Sequence, residues 1–320
     1  MRTPIFWKDD NILSAVLRPA AAIYGCVARR RGRGVTPVKL PIPVICVGNV
    51  VAGGAGKTPT ALAIGSMLTA QGIKAHFLTR GYGGTLAGPV LVDALLHTAH
   101  EVGDEALLLA QKLPTWVARD RVAGGRAAVQ AGAEFIIMDD GYQNPFLQRD
   151  VNFLVIDGVY GAGNGRLMPA GSLREPFDEA VERASAIILY GEDKSGVLRH
   201  ISPYKTVLHA TLVPLPESAA MLRGQTVVAF AGIARPAKFR RTLTDLGCEV
   251  VQMVEFGDHH RFTARELANL QAQAKQRSAK LVTTTKDYIR LPQAMRAEVF
   301  ALAVEAHFEE PDAVWRAIFP

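Results

Sequence analysis

Cysteine is scarce in this chain. Its three residues, Cys26, Cys46 and Cys248, stand far apart and show no metal-ligand spacing. That pattern excludes a disulfide scaffold and a cysteine-based zinc module, and it points to a reducing compartment. Long apolar runs are missing as well. No stretch of ~18 or more uncharged apolar residues occurs, so a spanning helix is not expected. Asp9 and Asp10 precede the first apolar stretch and a basic cluster follows it, the wrong flanks for a secretory signal. Internal repeats and low-complexity segments are also lacking. Aromatic residues are few at 7%, but a hydrophobic content of 49% excludes a disordered chain. Most of the sequence has no excess of charge of either sign. Residues 1–40 hold eight Lys/Arg and two Asp, and the remainder holds 28 basic and 28 acidic residues. The net charge of +6 therefore belongs to the N-terminal arm. A nucleic-acid binder would carry a basic face on its fold, so no nucleic-acid partner is expected.

What is present is an alternation of strand and helix signals. Apolar, β-rich stretches fall at Pro43–Val47, Ala75–Thr79, Thr115–Ala118, Glu134–Met138, Val151–Ile156 and Ala186–Tyr190. Helical patterns lie between several of them, as at Thr58–Ala70 and Arg121–Ala131. This rhythm predicts an α/β fold, a mainly parallel sheet with helices on both faces. Ligands of such sheets sit at the carboxyl ends of the strands. From His200 to Gln225 the pattern loosens around Pro203, Pro214 and Pro216 and reads as a linker that could form a β-ribbon. A second block follows, with strands at Thr226–Ala231, Glu249–Val254, Lys280–Thr284 and Val299–Val304 and helices at Pro236–Leu246, Ala264–Ala279 and Pro311–Ile318. The expected division is an N-terminal segment 1–34, a core 35–199, a linker 200–225 and a smaller C-terminal α/β domain 226–320.

In the N-terminal segment Ile12, Leu13, Val16, Leu17, Ala20, Ile23, Tyr24 and Val27 recur at helical spacing and lead into Arg29, Arg30, Arg31 and Arg33. An amphipathic helix with a basic end suits an anionic membrane surface. A helix packed on the domain with a solvated basic tail accounts for the same pattern.

The most informative segment is Val47-Gly-Asn-Val-Val-Ala-Gly-Gly-Ala-Gly-Lys-Thr-Pro59. A strand runs into a glycine-rich loop, then Lys-Thr, then a helix, which is the architecture of a nucleoside-triphosphate site. Lys57 would reach the β- and γ-phosphates and Thr58 would hold Mg²⁺. Pro59 suits a first helical turn. The usual spacing places a glycine where this chain has Val51.

Glu134-Phe-Ile-Ile-Met-Asp-Asp-Gly-Tyr-Gln143 is the second strong signal. An apolar strand ends in two carboxylates, where a nucleotide site places its Mg²⁺-linked aspartate. Asp139 is the choice for the metal side. Asp140 can join it only if the chain turns, because successive strand side chains face opposite ways. A plain Asp-Gly turn is the plainer alternative. Asp104 stands at a helix start, where a capping role is also open. Phe256-Gly-Asp-His-His-Arg-Phe262 follows a strand, but no ligand pattern completes a zinc site around its histidines. A histidine paired with Asp104 would make a tunable base. Ser172-Leu-Arg-Glu-Pro176 offers an Arg and a Glu for phosphate and magnesium, or simply a helix start. Thr283-Thr-Thr-Lys-Asp287 ends an apolar strand and is a weak nucleotide-proximal candidate.

Taken in order, Val47–Pro59, Thr79-Arg-Gly-Tyr-Gly83, Gly103-Asp-Glu-Ala106, Asp139-Asp-Gly-Tyr-Gln143, Leu173-Arg-Glu-Pro176, Asp258-His259 and Thr285-Lys-Asp287 resemble the tetraacyldisaccharide 4′-kinase family, the lipid A 4′-kinases of Gram-negative outer-membrane synthesis. The phosphate loop alone would not separate this family from other P-loop enzymes; the ordered set does. The resemblance implies a P-loop NTPase-type fold that uses ATP and Mg²⁺. It implies transfer of the γ-phosphate to the 4′-hydroxyl of tetraacyldisaccharide 1-phosphate, giving lipid IVA. Carried onto this chain, Asp104 resembles the base with His259 as its partner, and Lys57 acts on the phosphates. Ala52, Gly53, Gly54, Ala55, Gly56, Lys57, Thr58, Pro59 and Arg174 would bind the nucleotide. Thr58, Asp139, Asp140 and Glu175 would lie on the metal side, and Tyr82, Arg119, Arg121 and Gln143 toward the substrate. The lipid substrate implies peripheral contact with the cytoplasmic face of the inner membrane, and no obligate protein partner is expected.

Two other classes share parts of the pattern. A membrane-bound ATPase switch carries a similar loop, but with a lysine where this chain has Ala52. A metal-insertion GTPase would use the His259-His260 pair. ATPase activity that needs a protein partner would favour the first, and preference for GTP the second.

Overall fold

A computed structural model describes residues 4–319, apart from the side chains of Ile5 and Arg31. Arg31 of the basic cluster therefore lies outside the described side chains. The first two thirds of the chain supply strands β1 (Val44–Gly48), β2 (Ala75–Thr79), β3 (Val90–Leu91), β4 (Thr115–Val117), β5 (Phe135–Asp139), β6 (Val151–Asp157), β7 (Ala186–Tyr190) and β8 (Val207–Pro214). A second sheet holds β9 (Thr226–Ala231), β10 (Glu249–Glu255), β11 (Lys280–Thr284) and β12 (Phe300–Leu302), and β13 (Val304–Phe308) returns to the first.

The first sheet has the order β13-β8-β7-β6-β1-β5-β2-β4-β3. It is parallel from β8 to β4, with antiparallel β13 and β3 at its edges. Val44 to Val47 of β1 are all buried, as expected of a parallel strand covered on both faces. Helix Lys57–Ala70 covers one face by burying Ala61, Ile64 and Leu68, a spacing that keeps them on one side of the helix. β1 lies between β5 and β6, with Val47 opposite Asp139 on one side and Phe153 on the other. That register sets the loop after β1 beside the carboxylates that end β5.

The second sheet is parallel throughout, in the order β10-β9-β11-β12. Strict alternation along β9 splits its core in two. Val227, Ala229 and Ala231 pack with Phe239 and Leu243, whereas Val228 and Phe230 pack with Leu267 and Leu270.

The structure departs from the expected division in two places. Segment 200–225 is no free ribbon, because β8 pairs with β7 inside the first sheet. The stretch expected as one strand at 299–304 is split between sheets. Phe300–Leu302 joins β11, then β13 crosses back to β8 and helix Pro311–Ile318 buries Val314 and Ile318 in the first core. Ala303 alone separates the two short strands, and each pairs with a different sheet edge. The N-terminal helix is also interrupted. Ile12–Val16 ends at Leu17, and Pro19 opens a second helix, Arg18–Gly32, at the position where its missing donor does no harm. Among the described residues no helix is long and apolar enough to cross a membrane.

Candidate active site

The loop after β1 is braced from inside. Asn49 is fully buried; its Nδ2 donates to the carbonyls of Val51 (2.9 Å) and Gly53 (3.3 Å). Lys57 Nζ donates to Asn49 Oδ1 at 3.2 Å. The backbone of Arg174 donates to Val50 and that of Ala52 to Ser172, while Val51 bridges Leu173. Val51 therefore takes the usual glycine position as a buried strand partner, and this pairing brings the Leu-Arg-Glu segment to the loop. Gly56 has φ 99° and caps helix Lys57–Ala70. A Cβ there would lie 2.7 Å from the Tyr190 ring, so glycine is required both by conformation and by space. Ala52, Gly53, Gly54 and Ala55 form the loop, with Ala55 buried and Gly54 exposed. Pro59 sits in the first turn.

The carboxylates divide by what already engages them. Asp139 is buried, and its Oδ2 accepts from Thr58 Oγ1 at 2.8 Å. Its Oδ1 is buried without a hydrogen-bond partner. Burial, then the charge of Glu105, raises the Asp139 carboxyl, against the pull of Lys57. The chain turns at Asp140, whose φ is 57°, so the two aspartates leave the alternation of a strand and both reach the loop. Arg174 Nη1 donates to both Asp140 oxygens (3.0 and 3.1 Å), and Lys57 Nζ lies 3.7 Å away. Burial opposes this ionisation, but Lys57 and Arg174 hold the Asp140 carboxyl low. Glu175 accepts from Gln143 at 2.9 Å and pairs with Arg183. Gln143 also donates to the Asn49 carbonyl. Arg174 and Glu175 precede helix Phe177–Arg183 and do not belong to its first turn.

A Mg²⁺ ion fits these donors. An orphaned buried carboxylate oxygen beside a threonine hydroxyl supplies hard oxygen ligands. Among the described residues no cluster of three or more His, Cys, Asp or Glu side chains forms a closed cage. Mg²⁺ needs no such cage, because phosphate and water oxygens complete its shell.

The other half of the site is shared between the two units, with Asp104 on the first and His259 and Arg290 on the second. Asp104, 4% exposed, opens helix Asp104–Ala110 behind Gly103; it is not the cap, which corrects the capping alternative. His259 Nδ1 lies 3.1 Å from Asp104 Oδ2. Arg290 Nε donates to the same oxygen at 2.7 Å, and Arg290 Nη2 also contacts it. Burial would raise this carboxyl, but the His259 hydrogen bond and the charges of Lys286 and Arg290 hold it well below the usual range. Glu105 pairs with Lys286 at 3.0 Å. Tyr82, 65% exposed, sets its ring on edge against His259. His260 stacks on Phe256 and pairs with Glu266, so the two adjacent histidines have separate duties.

Of the two arginine candidates, Arg121 is buried, within the field of Asp139 and Asp140, and its Nε has no partner. Arg119 is exposed and donates to the Thr85 carbonyl. In the Thr283–Asp287 segment, the weak nucleotide-proximal candidate, Lys286 pairs with Glu105 and its charge acts on Asp104. Sequence reasoning missed Asn49, Glu105, Lys286 and Arg290. Asn49, Glu105 and Lys286 lie inside quoted motifs, but Arg290 carries no local signal.

Known proteins resemble this chain over nearly its whole length. The profile of the family described as LpxK, tetraacyldisaccharide-1-P 4′-kinase, matches residues 13–319. A tetraacyldisaccharide 4′-kinase of Rhodospirillum centenum is 50% identical over 325 positions, covering 100% of this chain and 96% of its own. One from Paramagnetospirillum magneticum is 48% identical over 312 positions, covering 97% and 96%. The crystal structure of "apo" form LpxK from Aquifex aeolicus in complex with ATP matches with a TM-score of 0.77 at 28% identity, over 96% of this chain and 99% of that one. With the family profile matched over residues 13–319 and relatives half identical along the whole chain, this chain belongs to the tetraacyldisaccharide-1-P 4′-kinase family.

Proposed function

We propose that this kinase moves the γ-phosphate of ATP to the 4′-hydroxyl of tetraacyldisaccharide 1-phosphate through the residues described above, giving lipid IVA. The observation that carries the reading is the position of Glu105. It follows Asp104 at the start of helix Asp104–Ala110, and that helix packs on helix Lys57–Ala70, which carries Thr58. This packing supports reading the Asp104–His259 pair and the Thr58–Asp139 pair as parts of one site.

Lys57 and the backbone N–H groups of Gly53 to Thr58 bind the phosphates, aided by the positive end of helix Lys57–Ala70. Arg174 and Arg121 add charge beside them. Thr58 and Asp139 would hold Mg²⁺, which would neutralise developing charge when bound. Asp140, engaged by Arg174 and Lys57, and Glu175, engaged by Gln143 and Arg183, orient those side chains. Asp104, with His259, accepts the proton of the sugar hydroxyl, a weak nucleophile near neutral pH. Phosphoryl transfer needs positioning and charge neutralisation above all, and the site offers both. Tyr82 and Gln143 line the approach of the acceptor.

The lipid acceptor brings the enzyme to a membrane surface. Ile12, Val16, Ile23 and Val27 are 84%, 68%, 66% and 50% exposed, while Ser14, Ala21 and Gly25 face inward. An outward apolar row followed by arginines supports peripheral contact with anionic lipid, on the cytoplasmic face where ATP is supplied. The test is transfer of labelled γ-phosphate from Mg·ATP to tetraacyldisaccharide 1-phosphate in detergent micelles. A labelled lipid is expected. Folded, ATP-binding protein that labels no lipid would overturn the reading.

A further inference from the structure

The end of the Thr283–Asp287 motif builds something the phosphate loop does not use. Thr284 caps the short helix Thr285–Arg290 and donates to Asp287 Oδ2 at 2.7 Å. Asp287, fully buried, accepts on Oδ1 from the Gly232 N–H (3.1 Å) and from Arg290 Nη1 (2.9 Å). The Gly232 carbonyl in turn accepts from Arg290 Nη1 (2.9 Å) and from the His259 backbone N–H (3.1 Å). Gly232, His259, Asp287 and Arg290 are thus one preassembled piece of the second unit. Gly232 admits little else: a Cβ there would lie 3.1 Å from Asp287 Oδ1 and from the Gly257 carbonyl.

We propose that Arg290 is a positioning residue for the Asp104–His259 pair. One edge of its guanidinium is fixed within the second unit, and its Nε and Nη2 are left to hold Asp104 Oδ2. Such a planar fork sets the direction of a carboxylate, which a lysine does not. Arg290 is 6% exposed along its side chain, so no water layer loosens the hold. Beside it Ile289 enters an apolar cluster with Val102, Ala106, Leu107 and Val117 of the first unit. That contact seats the helix against the base. With Oδ2 taken by Arg290 and His259, Asp104 keeps Oδ1, which among the described residues accepts only from the adjacent Glu105 N–H, for the acceptor's proton. The inference rests on Asp104 as the proton acceptor.

The experiment compares Arg290→Ala and Arg290→Lys in the full chain, checked for folding by circular dichroism. Hydrogen-bond partners that orient metal ligands contribute about 10–100-fold to affinity or activity, and the same scale is expected for a partner that orients a base. Arg290→Ala should lower kcat on that scale and leave KM for ATP unchanged, with Arg290→Lys falling between. Added guanidinium should restore part of the Arg290→Ala rate. In an Asp104→Asn background Arg290→Ala should bring no further loss of kcat, because the carboxylate it positions is gone. Wild-type kcat in folded Arg290→Ala or Arg290→Lys overturns the proposal. So does a proportional loss that persists in the Asp104→Asn background, or one that guanidinium does not touch. Should Arg290→Ala not fold, Arg290→Lys and its cycle with Asp104→Asn still decide. Wild-type turnover in Asp104→Asn alone would instead refute the base assignment, a separate result.

Discussion

Replacing Asp104 in two ways separates its chemistry from its structural duty. Asp104 and Arg290 are 4% and 6% exposed and in direct contact. Asp104→Ala therefore leaves a buried guanidinium without its carboxylate. Breaking a buried pair from one side costs about 3–5 kcal/mol. At about 2–4 °C per kcal/mol for a chain somewhat smaller than this one, the melting temperature should fall on the order of 10 °C. Asp104→Asn keeps the shape and an acceptor oxygen for Arg290, so its loss of stability should be clearly smaller. Both remove the proton acceptor, whose contribution is about 10²–10⁴-fold, so both should lose that much kcat. ATP affinity should hold in both, because the phosphate contacts lie on Lys57, Thr58 and the loop. The assays are thermal denaturation, labelled phosphate transfer and ATP titration. Equal stability of Asp104→Ala and wild type would refute the buried clamp. Unchanged turnover in Asp104→Asn would refute the base.

Other perturbations address the remaining parts. Lys57→Ala should abolish transfer with the fold intact, and retained turnover in the labelled-phosphate assay would sink the loop assignment. The stability advantage of wild type over Asp104→Asn should depend on pH in one direction. The folded carboxyl is held low, so its contribution is complete above the unfolded value of about 3.9 and is lost as pH falls toward the folded one; melting curves at stepped pH should show the gap closing only in acid. Gly56→Ala should cost about 1–3 kcal/mol of strain, since φ 99° and the Tyr190 ring 2.7 Å away both oppose a side chain; chemical denaturation reads it. Changing Ile12, Val16, Ile23 and Val27 together to serine should reduce sedimentation with anionic liposomes and leave melting unchanged. Binding that survives would limit this helix to packing on the protein.

The nucleotide half of the site was readable because its parts are local. A strand, a glycine loop, Lys57-Thr58 and a helix start occupy one short segment, and each residue type answers a backbone or charge demand within it. Asp139 was readable for the same reason, as the polar end of an apolar strand. Asn49 was hidden because its work is to brace backbone that looks complete without it. The different partners of Asp139 and Asp140 were hidden because Arg174, which engages Asp140, is brought across by pairing of 172–174 with 50–52. Arg119 and Arg121 differ by two positions, and only the packing of helix Arg121–Gln130 turns one inward.

Residue pattern alone determined an α/β chain with a phosphate loop, a pair of carboxylates ending an apolar strand and an amphipathic N-terminal arm, because periodicity and short motifs encode contacts made within a few residues. The tertiary structure decided which distant groups meet. It split the last strands between two sheets, because each pairs with a different sheet edge. It also assembled the Asp104 pocket, where His259 and Arg290 arrive 155 and 186 residues later in the chain. A carboxylate buried on one unit and a guanidinium buried on the other leave no trace of their pairing in either local sequence. Only the docking of helix Thr285–Arg290 brings them together.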